Sequence, residues 1–223
     1  MRRSHASPHP KSTTYLAQAS ALYESAGESI QQEGSLWYFR EHKEALCLAE
    51  GTGYALRVVC ACLAVLSPRC QWRRVKKACK LLLDGGKPPG IFNHNVSKAA
   101  RILATGNTDL IQPHQAPKTW AFWQNLWRPD NPEPVTLDSW MFRSHGLPLG
   151  AGLGTYHALA TAYRDLAPQL ELLPNQLQAV VWLHAKATLS RRRDNCSGKR
   201  APRRNVVPHR QPTKEEINDR IDP

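Results

Sequence analysis

The sequence predicts an all-α protein. Apolar and small residues recur at helical spacing in one window after another. Strand-like alternation never persists for more than a few residues. Gly-, Pro- and Ser-rich breaks separate the windows at helix-length intervals, giving nine helices and no internal repeat.

Each helix has its own warrant. From Thr14 to Gln32, Leu16, Ala19, Leu22, Tyr23, Ala26 and Ile30 form a modest stripe, and Gly34-Ser35 reads as the break that ends it. Ser35 is then expected to cap a second helix carrying Trp37, Tyr38, Leu46 and Leu48. After Gly51-Thr52-Gly53, the run Tyr54–Leu66 is apolar nearly all round except for Arg57, which marks a helix buried in the middle of a protein. Ser67-Pro68 closes it. Gln71–Leu83 turns Val75, Ala78, Cys79 and Leu82 inward and Arg73, Arg74, Lys76, Lys77 and Lys80 outward, so one face is strongly basic. A breaker-rich loop, Gly85–Gly90, leads to a helix over Asn95–Ala104, and the proline-bounded turn Pro113–Pro117 leads to another over Lys118–Leu126. The aromatics of that second helix, Trp120, Phe122 and Trp123, have the spacing of core residues. A helix opens at Ser139. The glycine-rich stretch Gly146–Gly154 has the composition of a cleft edge, and Tyr156–Leu166 and Gln176–Leu189 complete the core.

The length, 223 residues, suits one helical domain, read as residues 13–189. Residues 1–12 and 190–223 are basic, aperiodic and poor in apolar residues, and are expected to be a disordered leader and tail. With 30 Lys and Arg against 18 Asp and Glu the formal charge is +12, a field that draws in phosphate polymers. No apolar run approaches the length of a membrane span, and no apolar segment follows the N-terminal arginines as a secretory signal would require. A reducing, cytoplasmic setting is therefore expected. The six cysteines lack metal-ligand spacing and are expected to be mostly buried free thiols, with no metal and no cofactor.

Val135–Arg143 is the stretch on which chemistry can centre. Asp138 stands between a short apolar run and a helical one, preceded by Pro132 and Pro134, and its local role is that of an N-cap. Its surroundings add more. Leu63-Ala64-Val65-Leu66-Ser67-Pro68-Arg69, Ile91–Leu103 with its Asn95-Val96-Ser97-Lys98-Ala99, Lys118-Thr119, and Val135–Arg143 occur in this order. With Gln178–Lys186 closing the series, they resemble the helix-hairpin-helix DNA glycosylase superfamily, the endonuclease III type in particular. The same stretches are similar, more closely, to a group of short uncharacterised proteins largely encoded by phages. The chain also departs from the family. No glycine occurs from Ile111 to Lys118 where the family has a Gly-x-Gly hairpin, Trp140 stands where a histidine is usual, and the four-cysteine iron–sulfur loop is absent.

The resemblance implies a two-lobed helical domain that binds double-stranded DNA and cleaves the N-glycosidic bond of a flipped base. It gives Asp138 the role of stabilising the oxocarbenium-like sugar, Lys118 the role of an amine nucleophile for strand cleavage, and Arg69 the place of a residue filling the gap in the base stack. The cations Arg73, Arg74, Lys76, Lys77, Lys98 and Arg143, with Arg191, Arg192 and Arg193 of the tail, are the further expected DNA contacts. A monomer, nucleoid-associated and phage-encoded in a bacterial host, is the expected setting. A second reading, a DNA-binding or architectural relative without catalysis, uses the same scaffold.

Overall fold

The computed structural model describes residues 10–197, with side chains over 13–190. Among these residues it is all-helical and without strands: α1 Pro10–Glu24, α2 Glu28–Thr52, α3 Leu56–Leu66, α4 Trp72–Leu83, α5 Asn93–Thr105, α6 Pro117–Trp127, α7 Ser139–Ser144, α8 Leu153–Leu166 and α9 Pro174–Ser197, with short 3-10 turns at Thr108–Leu110 and Ala167–Leu170. No single helix among them is long and apolar enough to cross a membrane. Helix α1 begins inside the segment read as a leader. Residues 1–9 and 198–223, which hold most of the expected leader and tail, lie outside the described residues.

α3 is the hub. Its residues from Val58 to Leu66 are all buried, because α2, α4, α5 and α6 pack around it. This is what its apolar circumference requires, since no face of it gains from meeting water. The resulting apolar cluster runs from Trp37 and Tyr38 of α2 through α3 and α4 to Phe122 and Trp123 of α6. A second cluster joins α1 and α8 to Val135, Leu137, Met141 and Phe142, and to Leu177 and Val181 of α9. Trp182 packs against both clusters.

Two boundaries differ from the sequence reading. The first helix ends at Glu24, and α2 runs from Glu28 straight through Gly34-Ser35. Gly34 is a point of close approach between helices: a Cβ there would stand 2.5 Å from Val180 Cα and 2.6 Å from Val180 N. Ser35 does not cap; its hydroxyl donates to Gln32 O, and its own carbonyl accepts the Gln176 side-chain amide at 2.8 Å. At the other end, α9 extends to Ser197, past the expected boundary at 190. The change of composition at Arg191 is not a change of conformation, since arginine is a good helix former and the first glycine comes at Gly198.

The thiols divide as burial dictates. Cys60, Cys62 and Cys79 are buried, Cys70 is half-buried and Cys47 is exposed, all free. Burial pushes the Cys60 and Cys62 pKa values up to about 12, so neither is a thiolate at neutral pH. Although Cys60 and Cys62 lie on different sides of α3, both sides are core.

Gly34→Ala drives a methyl group into the Val180 backbone, which cannot yield by rotamer change. The expected cost is about 2 kcal/mol, within the range for overpacking, read as a lower urea midpoint at unchanged slope. A midpoint equal to that of the parent protein would show that α2 and α9 can separate freely at this point.

Candidate active-site cavity

The approach to Asp138 is fixed before the residue itself is reached. Val135, Thr136 and Leu137 are buried in the non-helical segment that leads into α7. Tyr156 of α8 clamps it: its hydroxyl donates to Val135 O at 2.7 Å and accepts from Leu137 N at 3.3 Å. Asn125 of α6, fully buried, donates to Thr136 Oγ1 at 3.0 Å. The segment enters α7 with Asp138 as the N-cap, whose Oδ1 accepts from Trp140 N at 2.8 Å and Met141 N at 3.2 Å. Up to this point the carboxylate is the cap that local sequence predicts. Its second oxygen does something else: Oδ2 accepts the indole N–H of Trp182, from α9, at 3.0 Å. Three N–H donors thus fix both oxygens of a charged group, the arrangement that holds a carboxylate in one orientation.

Asp138 lines a cavity of about 910 Å³. Seven aromatic side chains contribute to the walls. Trp37 lies at the centre, with ring centroids 5.6 Å from Trp72, 6.1 Å from Phe122 and 5.6 Å from Trp182. Trp140 and Leu149, the latter from the glycine-rich stretch after α7, also line it. Polar groups are interspersed with the rings. The Tyr38 hydroxyl donates to Gln178 Oε1 at 2.9 Å, and burial raises the Tyr38 pKa far above its ordinary value, so it remains a neutral phenol. The Trp72 indole nitrogen is buried and has no hydrogen-bond partner among the described residues.

Three cations share the lining: Arg69, Lys118 and Lys186. Lys118 opens α6 directly after Pro117, with its ammonium 6.0 Å from the Phe122 ring centroid. Burial lowers its pKa while the Asp138 charge pulls the other way. Lys186 stands one helical turn beyond Trp182, with its ammonium 4.0 Å over that ring; burial lowers its pKa as well. Arg69 sits in the turn after α3 with φ 55°, in the left-handed region a non-glycine residue seldom occupies.

Of the sequence-derived candidates, Asp138, Lys118 and Arg69 therefore meet in one cavity. The others do not. Arg73, Arg74 and Lys77 are exposed on α4, with Arg74 donating to Pro89 O at 3.3 Å. Lys76 is a correction to the expected free basic face. It pairs with Glu41 at 3.3 Å and more closely with Glu44, both from α2. Burial opposes its charge, yet these carboxylates outweigh it and raise its pKa. Lys80 pairs with Asp84 at 2.9 Å. Lys98 is half-buried on α5, and Arg143 is exposed with its guanidinium 5.4 Å from the Trp140 ring centroid. Arg191, Arg192 and Arg193 fall in the last turns of α9 but outside the residues whose side chains are described. Among the described residues no group of three or more His, Cys, Asp and Glu is arranged to hold a metal ion.

The sequence did not reveal Tyr156, Asn125 or the use of Trp182 as a donor. Tyr156 and Trp182 were visible only as core residues, and no periodicity tells which buried hydroxyl or indole N–H meets which acceptor. The glycine-free turn before Lys118 is closed by its own backbone: Gln115 N and Ala116 N both donate to Gln112 O, while Pro113 and Pro117 have no N–H.

A family model matches residues 1–189, most of the chain. The protein belongs to DUF7178. This is a family of unknown function, so membership carries no activity. No curated protein and no solved structure matches the chain. For this DUF7178 member the chemistry must be argued from the cavity.

The two-sided grip on Asp138 makes Asp138→Asn less conservative than it looks. With Oδ1 on the two α7 amides, the new NH₂ faces the Trp182 N–H, donor against donor. The variant should lose about 2 kcal/mol in urea unfolding, and Trp182→Phe in the same background should recover part of it. Strictly additive losses in this double-mutant cycle would mean that the indole and the carboxylate are not coupled.

Proposed function

We propose that this protein binds double-stranded DNA and cleaves the N-glycosidic bond of a damaged or modified base flipped into the cavity. The observation that carries the reading is a carboxylate held by three N–H donors at an aromatic-walled cavity, beside a lysine whose pKa is lowered by burial. Rings such as Trp37, Trp72, Phe122 and Trp182 suit a planar heterocycle, which stacks on any of them. As the base leaves, its sugar gains positive charge at C1′. A fixed carboxylate stabilises that charge without reorganising, and it can orient the water that completes the displacement.

Lys118 extends the chemistry. Its burial favours the neutral amine, whose lone pair attacks C1′ in place of water. Loss of the base leaves an aminal at C1′; the C1′–O4′ bond then breaks, with a proton going to O4′, and the opened sugar is held as a protonated Schiff base, from which removal of a C2′ proton expels the 3′ phosphate and cuts the strand. The charge of Asp138 opposes that effect, and base release with water as nucleophile needs Asp138 and not the lysine. The resemblance to helix-hairpin-helix glycosylases noted in the sequence supports the same assignment, with the two apolar clusters as its two lobes and the cavity between them.

A second reading, a DNA-binding relative without catalysis, draws on the turn before Lys118. Its inward-facing amides and two prolines leave few donors for a strand phosphate.

Base release from duplexes carrying a panel of damaged and modified bases separates the two. Asp138→Asn should lower release by at least about 100-fold with duplex affinity within about twofold, because the charge acts on the transition state. Parent protein that releases none of the panel bases would favour the second reading. On abasic-site DNA, borohydride should trap a covalent adduct that Lys118→Ala abolishes. An adduct undiminished in that variant would remove Lys118 from the mechanism.

A further inference from the structure

Lys186 has no part in the chemistry above, yet it is a cavity residue with an unusual environment. Its ammonium is held over the Trp182 ring at 4.0 Å, and the same indole donates to Asp138 at 3.0 Å. Among the described residues no carboxylate pairs with it within 4.0 Å. Two carboxylates act on it from further away, Asp138 and Glu33. Both are otherwise engaged: Asp138 accepts three N–H donors, and Glu33 lies 3.9 Å from the Arg40 guanidinium and faces solvent. A half-buried cation held by a ring and lacking a counter-ion is stabilised most by an anion that arrives with the ligand.

The charge balance of the cavity points the same way. Even with Lys118 as a neutral amine, Arg69 and Lys186 line it against the single carboxylate of Asp138, and neither is ion-paired among the described residues. A free neutral base would leave this excess uncompensated. A nucleotide within a strand would not, because its phosphates flank the sugar. With C1′ at Asp138 the flanking phosphates lie just beyond the sugar, and Lys186 stands over the face of the same indole whose edge donates to Asp138.

We infer that Lys186 is the anchor for a backbone phosphate next to the extruded nucleotide. The assignment rests on the DNA reading above. Trp182 then serves both ends of the ligand, orienting the carboxylate through its N–H and the ammonium through its ring face. The anchor acts on binding and positioning, and contributes no bond-making step.

The test uses the full chain and a duplex containing one tetrahydrofuran abasic-site analogue, titrated at several salt concentrations. Lys186→Gln should weaken binding about tenfold and reduce the salt slope by about one, while Lys186→Arg should stay near the parent affinity. Each phosphate near the analogue is then replaced in turn by a neutral methylphosphonate. At one position the parent protein should lose about as much as Lys186→Gln does, and the variant should lose nothing more. Losses that add at every position, or an unchanged affinity for Lys186→Gln, overturn the assignment. Circular dichroism separates loss of contact from loss of fold, and the methylphosphonate series on the parent protein together with Lys186→Arg decides the matter should Lys186→Gln not fold. Parent protein that binds the analogue no better than intact duplex would sink the glycosylase reading itself, an outcome visible before any variant is made.

Discussion

The hydrogen bond from Trp182 to Asp138 joins the two halves of the apolar interior. Asp138 follows Leu137 and precedes Met141, both in the cluster built on α1 and α8, whereas the Trp182 ring also packs against the cluster around α3. A cap that used the α7 amides alone would need only local structure. One that also takes an N–H from α9 requires both clusters to be formed, so the orientation of this carboxylate is a property of the whole helical domain. Gly34 belongs to the same logic: its missing side chain lets α2 approach α9 closely, and α9 carries Trp182.

Charge is distributed unevenly for physical reasons. On α4 two lysines find partners: Lys76 is neutralised by Glu41 and Glu44, and Lys80 by Asp84. Within the cavity Arg69 and Lys186 have no carboxylate partner within 4.0 Å among the described residues, and the Trp72 indole nitrogen has no acceptor. An interior with this imbalance is complementary to a ligand rich in acceptors. The strained backbone of Arg69 fits the pattern, because left-handed geometry at a non-glycine residue costs about 1 kcal/mol or more and persists where the surrounding turn enforces it. Its side chain is thereby carried to the edge of the cavity.

Much of this was legible in the chain. An apolar circumference is enough to bury α3, and the five-cation face of α4 and the aromatic spacing of α6 marked their inward sides correctly. Asp138 was recognisable as a cap from its neighbours alone. What escaped was of one kind, namely contacts between residues far apart in sequence. Gly34 reads as a breaker because glycine is one in isolation; only Val180, opposite it, makes it a packing residue. Lys76 looked free because its carboxylates come from another helix. Trp182 looked like core because apolar spacing does not reveal where an indole N–H is aimed. The end of α9 escaped for a different reason: arginines change the composition there without ending the helix.

One consequence of the aromatic wall is optical. The chain has seven tryptophans, and four of them, Trp37, Trp72, Trp140 and Trp182, line the cavity. More than half of the tryptophans of the molecule therefore surround a single space. Whatever enters it stacks on, or lies beside, the emitters themselves, and the colour and yield of that emission become a direct, label-free record of occupancy.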